Sequence, residues 1–300
     1  LLISRFTVRF RGGSPCVFHP LGGLEKAGWY ANLPFVYENG GAFVNILILN
    51  DDGIAAEGLQ TLARHLAPRH NVTVAAPMHQ QSGTSHALTI GRAIEVRTDE
   101  NFDADYDILA WAIDGTPTDC GKLYLDAIAE EMPDVVLSGI NHGSNLGTDV
   151  IYSGTVGAAF EGFFHGIPSF ALSLVEGSEI SYAEAAAYFE PFMERVLAET
   201  EKPFLLNINF PKVLTGESPQ FVFCRQGGRD YINAFERIEE NGRVHYKVAG
   251  EVSDTDKGAG TDIYAVEHGL ISVTPVGMDM TDYPLLEECG RLFMKDEGRC

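Results

Sequence analysis

"NILILNDDGIAAEGLQTLARHLA", residues 45–67, is the stretch on which the fold class turns. Val44 to Leu49 is short, rich in branched aliphatics and free of polar alternation, which predicts a strand buried on both sides. Glu57 to Leu66 then sets Leu59, Leu62, Ala63 and Leu66 at helical spacing. A strand that runs through one short turn into an amphipathic helix is the opening half of a βαβ unit. The turn itself is Asn50-Asp51-Asp52-Gly53. Adjacent carboxylates repel, so their pairing needs a cause. A cation held between them is one. The other is capping, in which an Asp near a helix start accepts orphan N–H groups and favours the dipole.

The same alternation continues outward from this unit. Asn71 to Ala76 and residues 108–113 read as strands, and "LTI" and "AIEV" are predicted to pair locally around Gly91. Thr116 is a predicted N-cap with Pro117 at the first helical position, where its missing N–H costs nothing. A strand follows at 134–139, then the loop "INHGSNLGTD", a helix in "GTVGAAFEGFFHG", the strand "SFALSL", a long helix from Tyr182 and the strand "FLLNINF". Strands alternating with helices predict an α/β fold: a Rossmann-like, doubly wound, mostly parallel sheet in three αβα layers. After Pro211 the chain turns polar. Asn241-Gly242 inside "RIEENGRVHYKV" predicts an antiparallel hairpin, and an isolated hairpin is marginal in water. The arm at 212–262 is therefore expected to pack on another subunit, in a homodimer or homotetramer. "GLISVTPV" should return to the sheet as a strand, and "YPLLEECGRLF" should form a short helix. The division expected is a catalytic core over 44–211 and a β-hairpin oligomerisation arm, returning strand and C-terminal helix over 212–300.

Composition narrows the class. With 45% apolar residues in 300 a sizeable core can form, and no run approaches the roughly 18 apolar residues of a membrane helix. The formal charge of −21, from 42 acidic and 21 basic residues, argues against a nucleic-acid polymer as partner. It leaves room for a small phosphorylated substrate if a cation mediates the contact. The five cysteines are scattered and form no CxxC pair, which points away from a disulfide framework or zinc site and toward a cytoplasmic location. Residues 1–43 show no sustained periodicity and no secretory signal. They read as an unstructured leader or an over-extended N-terminus, with the domain opening near Val44.

In an open parallel sheet, ligands bind beyond the carboxyl ends of the strands. Three polar loops fall there: "NDDG", "PMHQQSGTSH" and "SGINHGSN". They bring carboxylates, hydroxyls and amides but no cysteine. Such an oxygen-rich set suits a hard divalent cation, Mg²⁺ or Mn²⁺. "SGT", Ser153 to Thr155, precedes a predicted helix whose free N–H groups can receive an anion. His79, His86 and His142 lie in the same loops and are candidates for proton transfer or phosphate contact.

Taken in order, "NILILNDDGIAAEGLQTLA", "VAAPMHQQSGTSHALTI", "IDGTPTDCGKL", "VVLSGINHGSNLGTDVIYSGTVGAAFEG" and "LLNINFP" resemble the SurE family of stationary-phase survival proteins, from about Val44 to about Pro275. The resemblance implies a metal-dependent 5′-nucleotidase, a phosphoric monoester hydrolase acting on nucleoside 5′-monophosphates. Nucleoside 3′-monophosphates and short polyphosphate are further substrates to test. It also implies one divalent ion per subunit, held by Asp51, Asp52, Ser82 and Asn141, with Asp51 and Asp52 at the catalytic centre. Substrate contacts fall on Asn145, Ser153, Gly154 and Thr155, with Gly83 and Thr84 forming another edge of the pocket. Three other readings fit less well. A haloacid-dehalogenase-type phosphatase needs Asp-x-Asp rather than adjacent aspartates. A dinucleotide-binding oxidoreductase needs GxGxxG where the chain reads "NDDGIAAEG". A complete ligand set argues against a non-catalytic metal- or nucleotide-binding module, which an activity assay would exclude.

Overall fold

The structure is a computed structural model that describes residues 29–30, 43–99, 102–103, 105–216 and 218–294. The strands are β1 (Trp29–Tyr30), β2 (Asn45–Leu49), β3 (Asn71–Pro77), β4 (Val96–Thr98), β5 (Leu109–Ile113), β6 (Val135–His142), β7 (Ser169–Leu174), β8 (Leu205–Phe210), β9 (Phe221–Phe223), β10 (Gly228–Ile232), β11 (Phe235–Glu240), β12 (Arg243–Val248), β13 (Glu251–Asp256) and β14 (Ile271–Pro275). The helices are α1 (Glu57–Leu66), α2 (Pro117–Leu123), α3 (Asp149–Tyr152), α4 (Gly154–Phe164), α5 (Tyr182–Glu199), α6 (Asp262–Glu267) and α7 (Tyr283–Met294).

The main sheet is ordered β1-β9-β14-β8-β7-β6-β2-β3-β5-β4. Its six central strands, β5-β3-β2-β6-β7-β8, are parallel. Counted along the chain they stand 3-2-1-4-5-6, the Rossmann order, with the winding reversing between β2 and β6. The α/β sheet expected from the sequence is therefore the one observed.

Its layers follow from strand alternation. Ile46 and Ile48 of β2 face α1 and α5, in a cluster with Leu59, Leu62, Leu66, Phe189 and Met193. Leu47 and Leu49 face the other way, onto Cys120, Leu125 and Ala158 from the α2 and α4 layer. Both faces are covered, so β2 carries no polar alternation. The helix starts are built as their side chains dictate. Thr116 accepts from Asp119 N while Asp119 accepts from Thr116 N, with Pro117 inside the first turn, and Ser181 and Glu184 cap α5 in the same way.

Some expectations change. Leu88 to Ile90 forms no strand; Val96–Thr98 pairs with β5 instead, antiparallel, and Leu88 and Ile90 are exposed. The segment after Pro211 holds more than one hairpin. β9 joins the main sheet beside β14, and β10 pairs with β13. The expected hairpin is β11–β12, with Asn241 and Gly242 both at positive φ (51° and 72°), as a twist-matched two-residue turn requires. β14 returns to the sheet antiparallel to β8. α7 is exposed from Tyr283 to Leu292. The leader expected over 1–43 falls outside the described residues, save Phe43 and Trp29–Tyr30, which pair with Phe223 and Val222.

Candidate active site

Reversal of the winding between β2 and β6 opens a crevice at their carboxyl ends, and the three polar loops meet there. Asp51 lies two residues beyond the end of β2 and is 6% exposed. Its Oδ1 accepts from the Thr155 hydroxyl at 2.6 Å, and its main-chain oxygen accepts from Gln81 N–H at 2.8 Å. Asp52 is less deeply placed. Its Oδ2 accepts from His142 N–H at 2.9 Å, and its Oδ1 from Gln80 Nε2 at 3.2 Å. The same Gln80 nitrogen donates to Ser82 Oγ at 3.0 Å, so one amide ties the second loop to the first. Asn141 lies next to His142, beyond the irregular stretch where the β6–β7 register shifts. Gly139 makes that irregularity sterically feasible: its φ is 137°, and a Cβ there would stand 2.3 Å from Leu172 O. Asn141 Nδ2 is spent on Gly143 O at 2.8 Å, which leaves its oxygen as the atom to offer a cation.

The start of α4 packs directly on Asp51. A Cβ added to Gly154 would sit 2.9 Å from Asp51 Cβ and 3.0 Å from Thr84 Oγ1. Ser153 caps α4 by accepting from Val156 N–H at 3.1 Å, and Thr84 Oγ1 donates to Gln81 O. Gly83, at φ 71°, has open space around it. Asn145 lies deeper than a surface contact residue. Its amide donates to Ser173 Oγ at 2.8 Å, and its main chain is gripped by Asn207 and Asn209.

The loop histidines separate. His142 Nδ1 lies 3.2 Å from Tyr182 Oη, beside Asp52. His86 Nε2 pairs with buried Glu161 at 2.7 Å, against Phe160 and Phe164. His79 is exposed. Gln80 and Tyr182 were not legible as site residues. Nothing in sequence separates Gln80 from its neighbour Gln81, and Tyr182 reads only as the first residue of a helix.

α1 begins after Ala56 with no side-chain cap, so neither aspartate caps it. Asp51 instead meets the α4 N-terminus. Burial pushes its carboxyl up to about 6, the Thr155 bond opposes that, and the Asp52 charge adds to it. Among the described residues neither aspartate forms an ion pair with Lys, Arg or His. Asn50 Oδ1, one residue away, is buried without a hydrogen-bond partner. A carboxylate pair, one buried and one half-buried, with no cationic side chain and ringed by hydroxyl and amide oxygens, fits a hard divalent ion.

The pattern of the family described as "Survival protein SurE" matches residues 46–233. The chain belongs to the SurE family. A SurE relative from Synechococcus sp. (strain JA-3-3Ab), named 5′-nucleotidase SurE, is 42% identical over 253 residues, covering 83% of this chain and 97% of its own. One from Pelotomaculum thermopropionicum, with the same name, is 41% identical over 252 residues, covering 83% and 95%. The crystal structure of the SurE protein from Aquifex aeolicus superimposes with a TM-score of 0.67 at 35% identity, covering 82% of this chain and 98% of that one. SurE membership is what the ordered motifs implied, and it disfavours the haloacid-dehalogenase alternative.

Proposed function

We infer that this SurE chain is a divalent-metal-dependent 5′-nucleotidase that hydrolyses nucleoside 5′-monophosphates to nucleoside and phosphate. One observation carries the reading: relatives named 5′-nucleotidase SurE match it at about 40% identity over most of both chains. We assign one Mg²⁺ or Mn²⁺ per subunit to Asp51, Asp52, Ser82 and Asn141. When bound, such an ion supplies positive charge to the phosphoryl oxygens and acidifies a water. The chain does the positioning. Thr155 orients Asp51, while Gln80 and His142 N–H orient Asp52. Ser153, Gly154 and Thr155 at the α4 start, with Gly83, Thr84 and Asn145, are assigned to the substrate phosphate. Phosphoryl transfer needs mainly positioning and charge neutralisation, and a chain of net charge −21 is poorly placed to supply the latter from Lys or Arg.

Phosphate release from a panel of 5′- and 3′-nucleotides and short polyphosphate, with and without Mg²⁺ or Mn²⁺, tests the reading. EDTA should abolish activity, and Asp52→Asn should lose it almost entirely. Full activity in either preparation refutes the assignment.

We further assign the chain to a homodimer or homotetramer. Phe235, Val244, Tyr246 and Val248 of the β11–β12 hairpin are exposed, and so are Leu285, Leu286 and Leu292 of α7. That is more apolar surface on slender elements than a lone chain ordinarily leaves to water. Cytoplasmic location is supported by free thiols at Cys120, Cys224 and Cys289. No helix among the described residues is long and apolar enough to cross a membrane.

A further inference from the structure

At the rim of the sheet opposite Asp51, a histidine and two glutamates converge. His70 ends the connection from α1 to β3, and Glu190 and Glu194 stand one turn apart on α5, so they share a face. His70 Nε2 lies 3.2 Å from Glu190 Oε1 and 3.9 Å from Glu194 Oε1, and the three atoms fall within 4.8 Å of one another. Glu190 is 1% exposed and His70 4%.

A carboxylate buried in mid-helix needs compensation. Arg69 and His65 both bond Glu190 Oε2, so Oε1 is the oxygen that faces His70. Burial, and then the Arg69 charge, hold both histidines below the ordinary imidazole range. Glu194 brings a second carboxylate toward the same ring nitrogen of His70. His70 Nδ1 has no hydrogen-bond partner, so the ring is anchored through Nε2 alone.

We propose that His70, Glu190 and Glu194 form a second divalent-cation site whose best-fitting occupant is Zn²⁺, with water completing a tetrahedron. Zinc takes imidazole and carboxylate at about 2.0–2.2 Å, which sets ligand atoms roughly 3.3–3.5 Å apart. The His70–Glu190 spacing is close to that. The Glu194 side chain, 27% exposed, has room to close the wider one. The imidazole ligand separates this site in kind from the oxygen-only set at Asp51 and Asp52. The two are also apart in space. β2 and β3 are parallel, with His70 preceding β3 and Asp51 following β2, so they are separated by a strand length of roughly 16 Å. A bound ion would pin the end of α1 to α5 and stabilise the layer on that face. None of this depends on the phosphatase reading.

Equilibrium dialysis of the full chain against Zn²⁺ tests it, using Asp52→Asn protein so that the other site is disabled. About one Zn²⁺ per chain is expected. His70→Ala added to that background should lower the affinity by more than about 100-fold, beyond what losing an outer-shell partner costs. Glu194→Gln, at a partly open position, should weaken binding at least tenfold and keeps the test readable if His70→Ala does not fold. Co²⁺ in place of Zn²⁺ should show the intense visible bands of a tetrahedral ion, lost in both variants. Less than stoichiometric binding, or binding that folded Glu194→Gln and His70→Ala leave unchanged, overturns the site.

Discussion

At Asp51 and Asp52 the chain holds two negative groups side by side at a buried strand end, and each is steered by a different donor. Thr155 bonds Asp51 from a helix start, while Gln80 bonds Asp52 from the second loop and His142 N–H from the end of β6. Thr155→Val keeps the shape and removes the donor, so it should weaken Mg²⁺ or Mn²⁺ binding by about 10–100-fold in calorimetric titration, with the fold intact by circular dichroism. Asp119 shows the same chemistry used for stability. It accepts from Thr89 N–H at 2.9 Å, from the Thr89 hydroxyl and from Thr116 N–H at 2.8 Å, while 3% exposed. Burial pushes its carboxyl up, but those bonds outweigh burial and hold it below the usual value. A depressed carboxyl stabilises the fold fully above the unfolded value, near pH 4, and loses that contribution as pH falls further through the folded value. Asp119→Asn should therefore cost about 1–3 kcal/mol at pH 7, with the gap to the parent narrowing below about pH 4 in urea unfolding. Of these residues the chain itself offered the Asp pair as a candidate site, Thr155 in a predicted helix start and His142 as a candidate for proton transfer or phosphate contact. Gln80 has no local signature, because its role exists only once the second loop folds over the first.

Among the elements, α4 bears most directly on the site, since its first turn lies against Asp51. Gly154 is needed there for closeness, with a Cβ only 2.9 Å from Asp51 Cβ. Gly154→Ala should displace the carboxylate and lower kcat/KM at least ~10-fold while the helix content measured by circular dichroism stays level, because Ala favours helix over Gly. A preserved kcat/KM in a folded variant would separate α4 from the chemistry. The elements that were legible are those with a strong period or a chemical punctuation mark: β2 with α1, the Thr116-Pro117 start of α2, and the Asn241-Gly242 turn. Those that were not, β9, β10 paired with β13, and α6, are short or polar. Phe221–Phe223 becomes a strand by pairing with β14 on one side and Trp29–Tyr30 on the other, neither of which adjoins it in sequence. Leu88 to Ile90 forms no strand, and the Thr89 N–H bonds the Asp119 carboxylate rather than a neighbouring strand.

For the whole molecule, the core buries its apolar residues on both faces of one sheet, whereas the β11–β12 hairpin and α7 leave theirs in water. Removing residues 235–248, or residues 283–294, should shift the mass by light scattering toward the monomer, with the core still folded. An unchanged mass in both would detach these elements from assembly. The fold class and the alternation of strands and helices through the core were legible in the sequence alone, because hydrophobic period and capping chemistry are local properties; the proposed oxygen donors were singled out by the resemblance to the SurE family. Which strands lie side by side was not legible. Only the tertiary structure decided that β2 and β6 meet at the point where the winding reverses, that Asp51 faces α4 rather than capping α1, and that His70 meets Glu190 from a position 120 residues away in the chain. Such contacts are set by the packing of distant layers, and a linear pattern carries no measure of that distance.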